Sequence, residues 1–133
     1  MKVIATIILF CIPLLNFAQE STAPVITSAT YDTSMVDVLP TFPGGIQAFA
    51  KYIGANFQQP DVEGLQGRVF MTFVIDADGS VVDVKVLSDI GYGTGDEAIR
   101  VLRKSPKWNP GEVNGQKVRV NFSMPIAINT IYN

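Results

Sequence analysis

The stretch from Gly67 to Leu87, Gly-Arg-Val-Phe-Met-Thr-Phe-Val-Ile-Asp-Ala-Asp-Gly-Ser-Val-Val-Asp-Val-Lys-Val-Leu, reads as a β-hairpin. It has a β-branched or aromatic run on each side of an Asp-Ala-Asp-Gly-Ser turn. In its first arm Val69, Met71, Phe73 and Ile75 line one face, and Phe70, Thr72 and Val74 line the other. Two apolar faces suit an interior strand better than an edge. The second arm is one-sided: Val82, Val84 and Val86 are expected to point inward while Asp83 and Lys85 meet water. Such a hairpin needs a covering layer on one face and a further strand beside its first arm.

Residues on either side supply both. Ile46, Phe49, Ala50 and Ile53 recur at helical spacing after Pro40-Thr-Phe-Pro-Gly-Gly45, predicting a first helix whose apolar stripe packs on the sheet. Past the hairpin, Thr94-Gly-Asp-Glu97 has the spacing of a capping box. It opens a second helix with Ala98, Ile99, Val101 and Leu102 on one side and Arg100, Arg103 and Lys104 near its end, where they suit the helix dipole. Pro106 ends that helix, Trp108-Asn-Pro-Gly111 forms a fixed turn with the indole packed inward, and Asn114-Gly115 marks a tight turn. Val118, Val120, Phe122 and Met124 then alternate with Arg119, Asn121 and Ser123 as a half-buried strand, and Pro125 removes a donor near its end.

The order is helix, strand, strand, helix, strand. A helical crossover favours a parallel relation between the second and third strands, and its right-handedness places the third strand beyond the first. The expected fold is therefore α+β, a three-stranded sheet of order 2-1-3 with both helices on one face. The third strand, Val118 to Met124, is then an edge.

The chain opens with Lys2, an apolar run from Val3 to Leu15 and Asn16-Phe17-Ala18, the pattern of a secretory signal cleaved after Ala18. That run of 13 residues is shorter than the roughly 20 a membrane-spanning helix needs. The alternative is an uncleaved anchor in the inner membrane. The expected organisation is a signal over residues 1–18, a flexible lead-in over 19–35 and one domain over 36–133, since about 115 mature residues suit a single core. Loss of Lys2 would leave 9 basic against 12 acidic residues, a formal charge of −3, which speaks against a nucleic-acid partner. The sequence has no histidine, and its one cysteine, Cys11, lies in the signal. Disulfides, His- or Cys-based catalysis and the usual zinc sites are excluded on that ground. Asp76-Ala-Asp78-Gly79 lacks the spacing of a calcium loop and reads as a turn, and Gly91-x-Gly93-x-Gly95 is not a phosphate loop. The expectation is a non-enzymatic protein without metal or cofactor.

Phe42-Pro-Gly-Gly45, Gly67-x-Val69 before an apolar strand, Asp78-Gly79, Ala98, Trp108-x-Pro-Gly111, Asn114-Gly115 and the final alternating strand together resemble the C-terminal domain of TonB, the energy transducer of the Gram-negative envelope. The resemblance covers about Val36 to Ile128. It implies a periplasmic domain that grips an extended segment, the TonB box, of an outer-membrane transporter by adding it as a strand. Strand addition needs an unpaired edge. The peptide-binding residues are thus expected to be Val118, Arg119, Val120, Asn121, Phe122, Ser123 and Met124. The resemblance adds Leu65 and Gln66, before the first strand, as a possible partner contact. The same edge would serve a second copy of the chain, so a homodimer or assembly module is the alternative. Only about 23 residues separate Ala18 from Phe42, where the motif series begins, a reach of at most about 80 Å. A soluble member of this kind cannot itself carry force from the inner membrane.

Overall fold

The computed structural model describes residues 29–131. The expected signal over 1–18 and most of the lead-in lie outside the described residues. The chain runs β1 (Thr30–Asp32), a 3-10 turn (Thr33–Met35), α1 (Ile46–Asn56), β2 (Gln66–Ile75), β3 (Val81–Ser88), α2 (Thr94–Arg103), β4 (Gly111–Val113) and β5 (Gln116–Asn129). The sheet has the order β1-β5-β2-β3, and β4 folds back on the first residues of β5.

The expected three-stranded sheet is therefore a five-stranded one. The two additional strands are three residues each, too short to show an alternating pattern, and β1 lies within what reads as a flexible lead-in. The long strands carry the stronger signals. β2 pairs antiparallel with β3 on one side and with β5 on the other, from Gln66↔Asn129 to Ile75↔Val120. β5 continues through Pro125 to Asn129 instead of ending near Met124.

Val69, Met71, Phe73 and Ile75 of β2 are fully buried, with Val120, Ile126 and Ile128 of β5 on the same side. α2 covers them with Ala98, Val101 and Leu102. Trp108 closes the core at the other end, with ring centroids 5.3 Å from Phe49, 5.6 Å from Phe42, 5.7 Å from Phe73 and 6.0 Å from Phe122. Its indole N–H donates to Ser105 Oγ at 2.9 Å, so burial leaves no donor orphaned. α1 is tied to α2 by the Tyr52 hydroxyl, which donates to the Val101 carbonyl at 2.8 Å. Burial pushes that phenol above its usual range, and the nearby Arg100 charge partly opposes the rise.

Three local expectations change. α2 begins at Thr94 with Gly93 as its cap in a left-handed conformation, and Thr94 Oγ1 donates back to the Gly91 carbonyl at 2.7 Å. No capping box forms, because Glu97 faces Arg100 and accepts from the Gln58 N–H at 3.0 Å. In β3, Asp83 has a positive φ of 51° and the register with β2 shifts between Thr72 and Val74. This bulge turns Val81 inward opposite Ile75 and sends Val82 to the open face opposite Val74, reversing the inward placing of Val82. A second shift follows between Phe70 and Met71. Of the α1 stripe, only Phe49 is buried, and Ile46 stands 75% exposed.

Candidate peptide-docking edge

A strand directs both backbone groups of one residue to one side and those of the next residue to the other. β2 pairs with β5 without a break across Pro125. Proline is accommodated in an edge strand with its donor-less nitrogen on the open side. Arg119, Asn121, Ser123, Pro125, Ala127 and Asn129 therefore present their backbone outward, and the even-numbered residues present theirs to β2.

The outer side of β5 is not wholly open. β1 runs parallel along it with the register Thr30↔Arg119, Tyr31↔Val120 and Asp32↔Asn121. Val118 is paired with Gly111 of β4. On its outer side the expected free edge from Val118 to Met124 is thus covered by β1 over Arg119–Asn121, while β4 pairs with Val118 on the side that β2 occupies further along. Among the described residues, no strand pairs with the outer side from Phe122 to Asn129.

The predicted residues divide by face. Val120 is fully buried, and Phe122 and Met124 are half-buried on the helix side. Arg119 lies on the open face, with Nη1 3.1 Å from Asp76 Oδ2 and Nη2 3.4 Å from Asp83 Oδ2. Asn121 and Ser123 are exposed. Leu65 and Gln66 sit at the far end of the ladder, about 30 Å from Arg119 at the rise of an extended strand. Both backbone groups of Leu65 are engaged by Thr130, through bonds of 2.9 Å each. The structure does not bring these two residues together with Val118–Asn121.

Beside the open half of the edge lies an apolar groove of about 400 Å³ between α1 and β5, lined by Ile46, Phe49, Ala50, Ile53 and Phe57 on one wall and Met124 to Ala127 on the other. A smaller pocket of about 110 Å³, sharing Ile46, Phe49 and Met124, extends it towards Phe42, Trp108 and Phe122. The α1 residues of this groove do not figure among the sequence-predicted contacts. Their signal is the helical apolar stripe itself, which has the same spacing whether it packs inward or is left partly bare. The opposite sheet edge, β3, is a poorer platform, since its two bulges interrupt any regular ladder.

Among the described residues no cluster of acidic, histidine or cysteine side chains could hold a metal ion, and no helix is long and apolar enough to cross a membrane.

The family model described as Gram-negative bacterial TonB protein C-terminal matches residues 59–129, from just before β2 to the end of β5. The chain belongs to the TonB C-terminal family. That family is one of non-catalytic interaction domains of the Gram-negative envelope, acting in the periplasm. β1 and α1 lie before the matched stretch of this TonB C-terminal domain. No curated protein shows a significant match to the sequence. Among solved structures, the chain is similar to the solution NMR structure of the Pseudomonas aeruginosa TonB CTD at 22% identity, over 72% of this chain and 91% of that one, with a TM-score of 0.37.

Proposed function

We infer that this TonB C-terminal domain captures an extended, TonB box-like segment of an outer-membrane transporter by adding it as a strand to the outer side of β5. The observation that carries this reading is the edge from Phe122 to Asn129, unpaired among the described residues, with the apolar groove under α1 alongside it. Backbone hydrogen bonds supply affinity in such a mode, and alternate side chains of the guest meet pockets on one face. Ile46 and Ile53 are placed to receive them. The domain acts without catalysis or cofactor, exported by an N-terminal signal cleaved after Ala18. N-terminal sequencing of the native protein tests that cleavage against retention as an inner-membrane anchor.

The binding test is titration of ¹⁵N-labelled protein with synthetic peptides spanning the N-terminal box of the host's outer-membrane transporters. Perturbation of the Ser123, Ala127 and Asn129 amides is expected. No perturbation of β5 by any of these peptides sinks the reading. Light scattering across a hundredfold concentration range separates peptide capture from self-pairing through the same edge.

A further inference from the structure

We propose that β1 is a built-in competitor for the β5 edge, a strap that must peel away before a guest strand can dock in full. This rests on the strand-addition reading and concerns how the edge is made available.

The edge left open beside β1 is a poor ladder. Beyond Asn121 the outward donors are Ser123, Ala127 and Asn129, with a gap at Pro125. Only Ser123 offers both a donor and an acceptor between the end of β1 and that gap. On the other side of Ser123 stand Arg119 and Asn121, evenly spaced and in phase with it, and β1 covers these two. A guest that displaces β1 gains three consecutive outward-facing residues. One that leaves β1 in place must bridge a proline.

The strap is built to leave. β1 has three residues, the turn behind it has three, and none of the six is buried. Its hold on β5 is a few backbone hydrogen bonds without a buried apolar anchor, the least stable kind of sheet pairing. The chain after it is fastened. Asp37 and Val38 N–H groups donate to the Glu112 carbonyl at 2.9 and 3.1 Å, Asp37 Oδ2 accepts from the Asn114 N–H at 2.7 Å, and Thr41 exchanges bonds with Asn109 at 3.0 and 2.8 Å. Residues 30–36 can therefore swing about a fixed point at Asp37 without loosening the core. A hollow of about 540 Å³, bounded by Asp32, Ser34, Leu39, Phe122 and Ser123, opens where the strap leaves the sheet and gives a guest its first foothold next to Ser123. The apparent affinity for a guest is lowered by the fraction of molecules in which the strap is closed.

The experiment compares three full-length proteins in a Cys11→Ser background: the parent, Tyr31→Pro, and the pair Asp32→Cys with Asn121→Cys. Proline at 31 weakens the strap. The cysteine pair joins two residues in register on adjacent strands, a spacing a disulfide accommodates, and so locks it. Binding of the same transporter box peptides is measured by calorimetry, with amide hydrogen exchange as a second readout. Tyr31→Pro is expected to bind about tenfold tighter, and the oxidised pair to bind at least tenfold more weakly than its reduced form. Thr30–Asp32 amides are expected to exchange far faster than those of Val69–Ile75. Equal affinity in all three proteins, or strap amides as protected as β2, overturns the strap while leaving strand addition standing. Binding to none of the three, the reduced pair included, overturns strand addition and the strap with it.

Discussion

The Trp108 backbone N–H donates to the Gly79 carbonyl at 2.8 Å, while a Cβ placed on Gly79 would collide with the Trp108 carbonyl oxygen. The loop after α2 is thus clamped on the β2–β3 turn at a point where a side chain has no room. Gly79 also has a φ of 88°. Gly79→Ala is expected to cost roughly 2–4 kcal/mol, from the left-handed backbone plus the displaced loop. Urea denaturation followed by Trp108 fluorescence measures it, and a loss under 1 kcal/mol would refute the clamp.

The alternation along β5 separates two neighbouring proline substitutions. Ser123→Pro removes an outward donor and leaves the β2 ladder intact, so the protein should stay folded and lose affinity for a docked strand by about fivefold or more. Phe122→Pro removes a donor that faces β2 opposite Phe73 and should unfold the domain or destabilise it by about 3 kcal/mol or more. Circular dichroism melts of both variants decide. If Ser123→Pro melts like Phe122→Pro, the phase assigned to the strand is wrong.

Glu97 accepts hydrogen bonds from Arg100 and from the Gln58 N–H, and these hold its carboxyl below the usual glutamate range against an opposing desolvation effect. A carboxyl lowered on folding contributes stability that is complete above its unfolded value and is lost as pH falls through the folded one. The stability difference between native protein and Glu97→Gln should therefore be largest near pH 6 and shrink towards pH 3. Denaturant titrations at three pH values would reveal it, and a difference independent of pH would contradict the assignment.

Ile46 is 75% exposed yet lines both apolar pockets beside the edge. Ile46→Asp should leave thermal stability within about 0.5 kcal/mol, as for most exposed positions, while weakening capture of an apolar guest. Calorimetric titration with a transporter box peptide measures the loss. Unchanged affinity would place the guest's side chains elsewhere.

The long strands were legible for two different reasons: Val69 to Ile75 is a nearly unbroken β-branched and aromatic run, and Val118 to Met124 alternate apolar with polar residues. α2 was legible from its apolar stripe, although the role of Thr94 at its start was not. A Thr-x-x-Glu pattern does not reveal that Glu97 prefers an arginine one turn on. The bulge at Asp83 was hidden for a similar reason, since an alternating Val-Asp-Val-Lys-Val run reads the same with or without a slipped residue. Least legible was the state of the candidate site. Thr-Tyr-Asp at 30–32 has no strand signature, because its pairing comes from an available edge on β5 and not from its own residues. The groove under α1 was missed because a helical stripe shows which residues share a face and not how much of that face is covered.

The two bulges of β3 have a bearing on stoichiometry. A sheet that can be extended from both sides is able to stack into an open-ended array, each new strand offering the next a template. Here one border is kinked, and Asp83 and Lys85 are exposed along it, while the other can accept a neighbour. Two copies joined through their β5 borders leave only the kinked β3 borders outside, so growth by self-pairing halts at two. Concentration alone should not drive the folded domain into fibres.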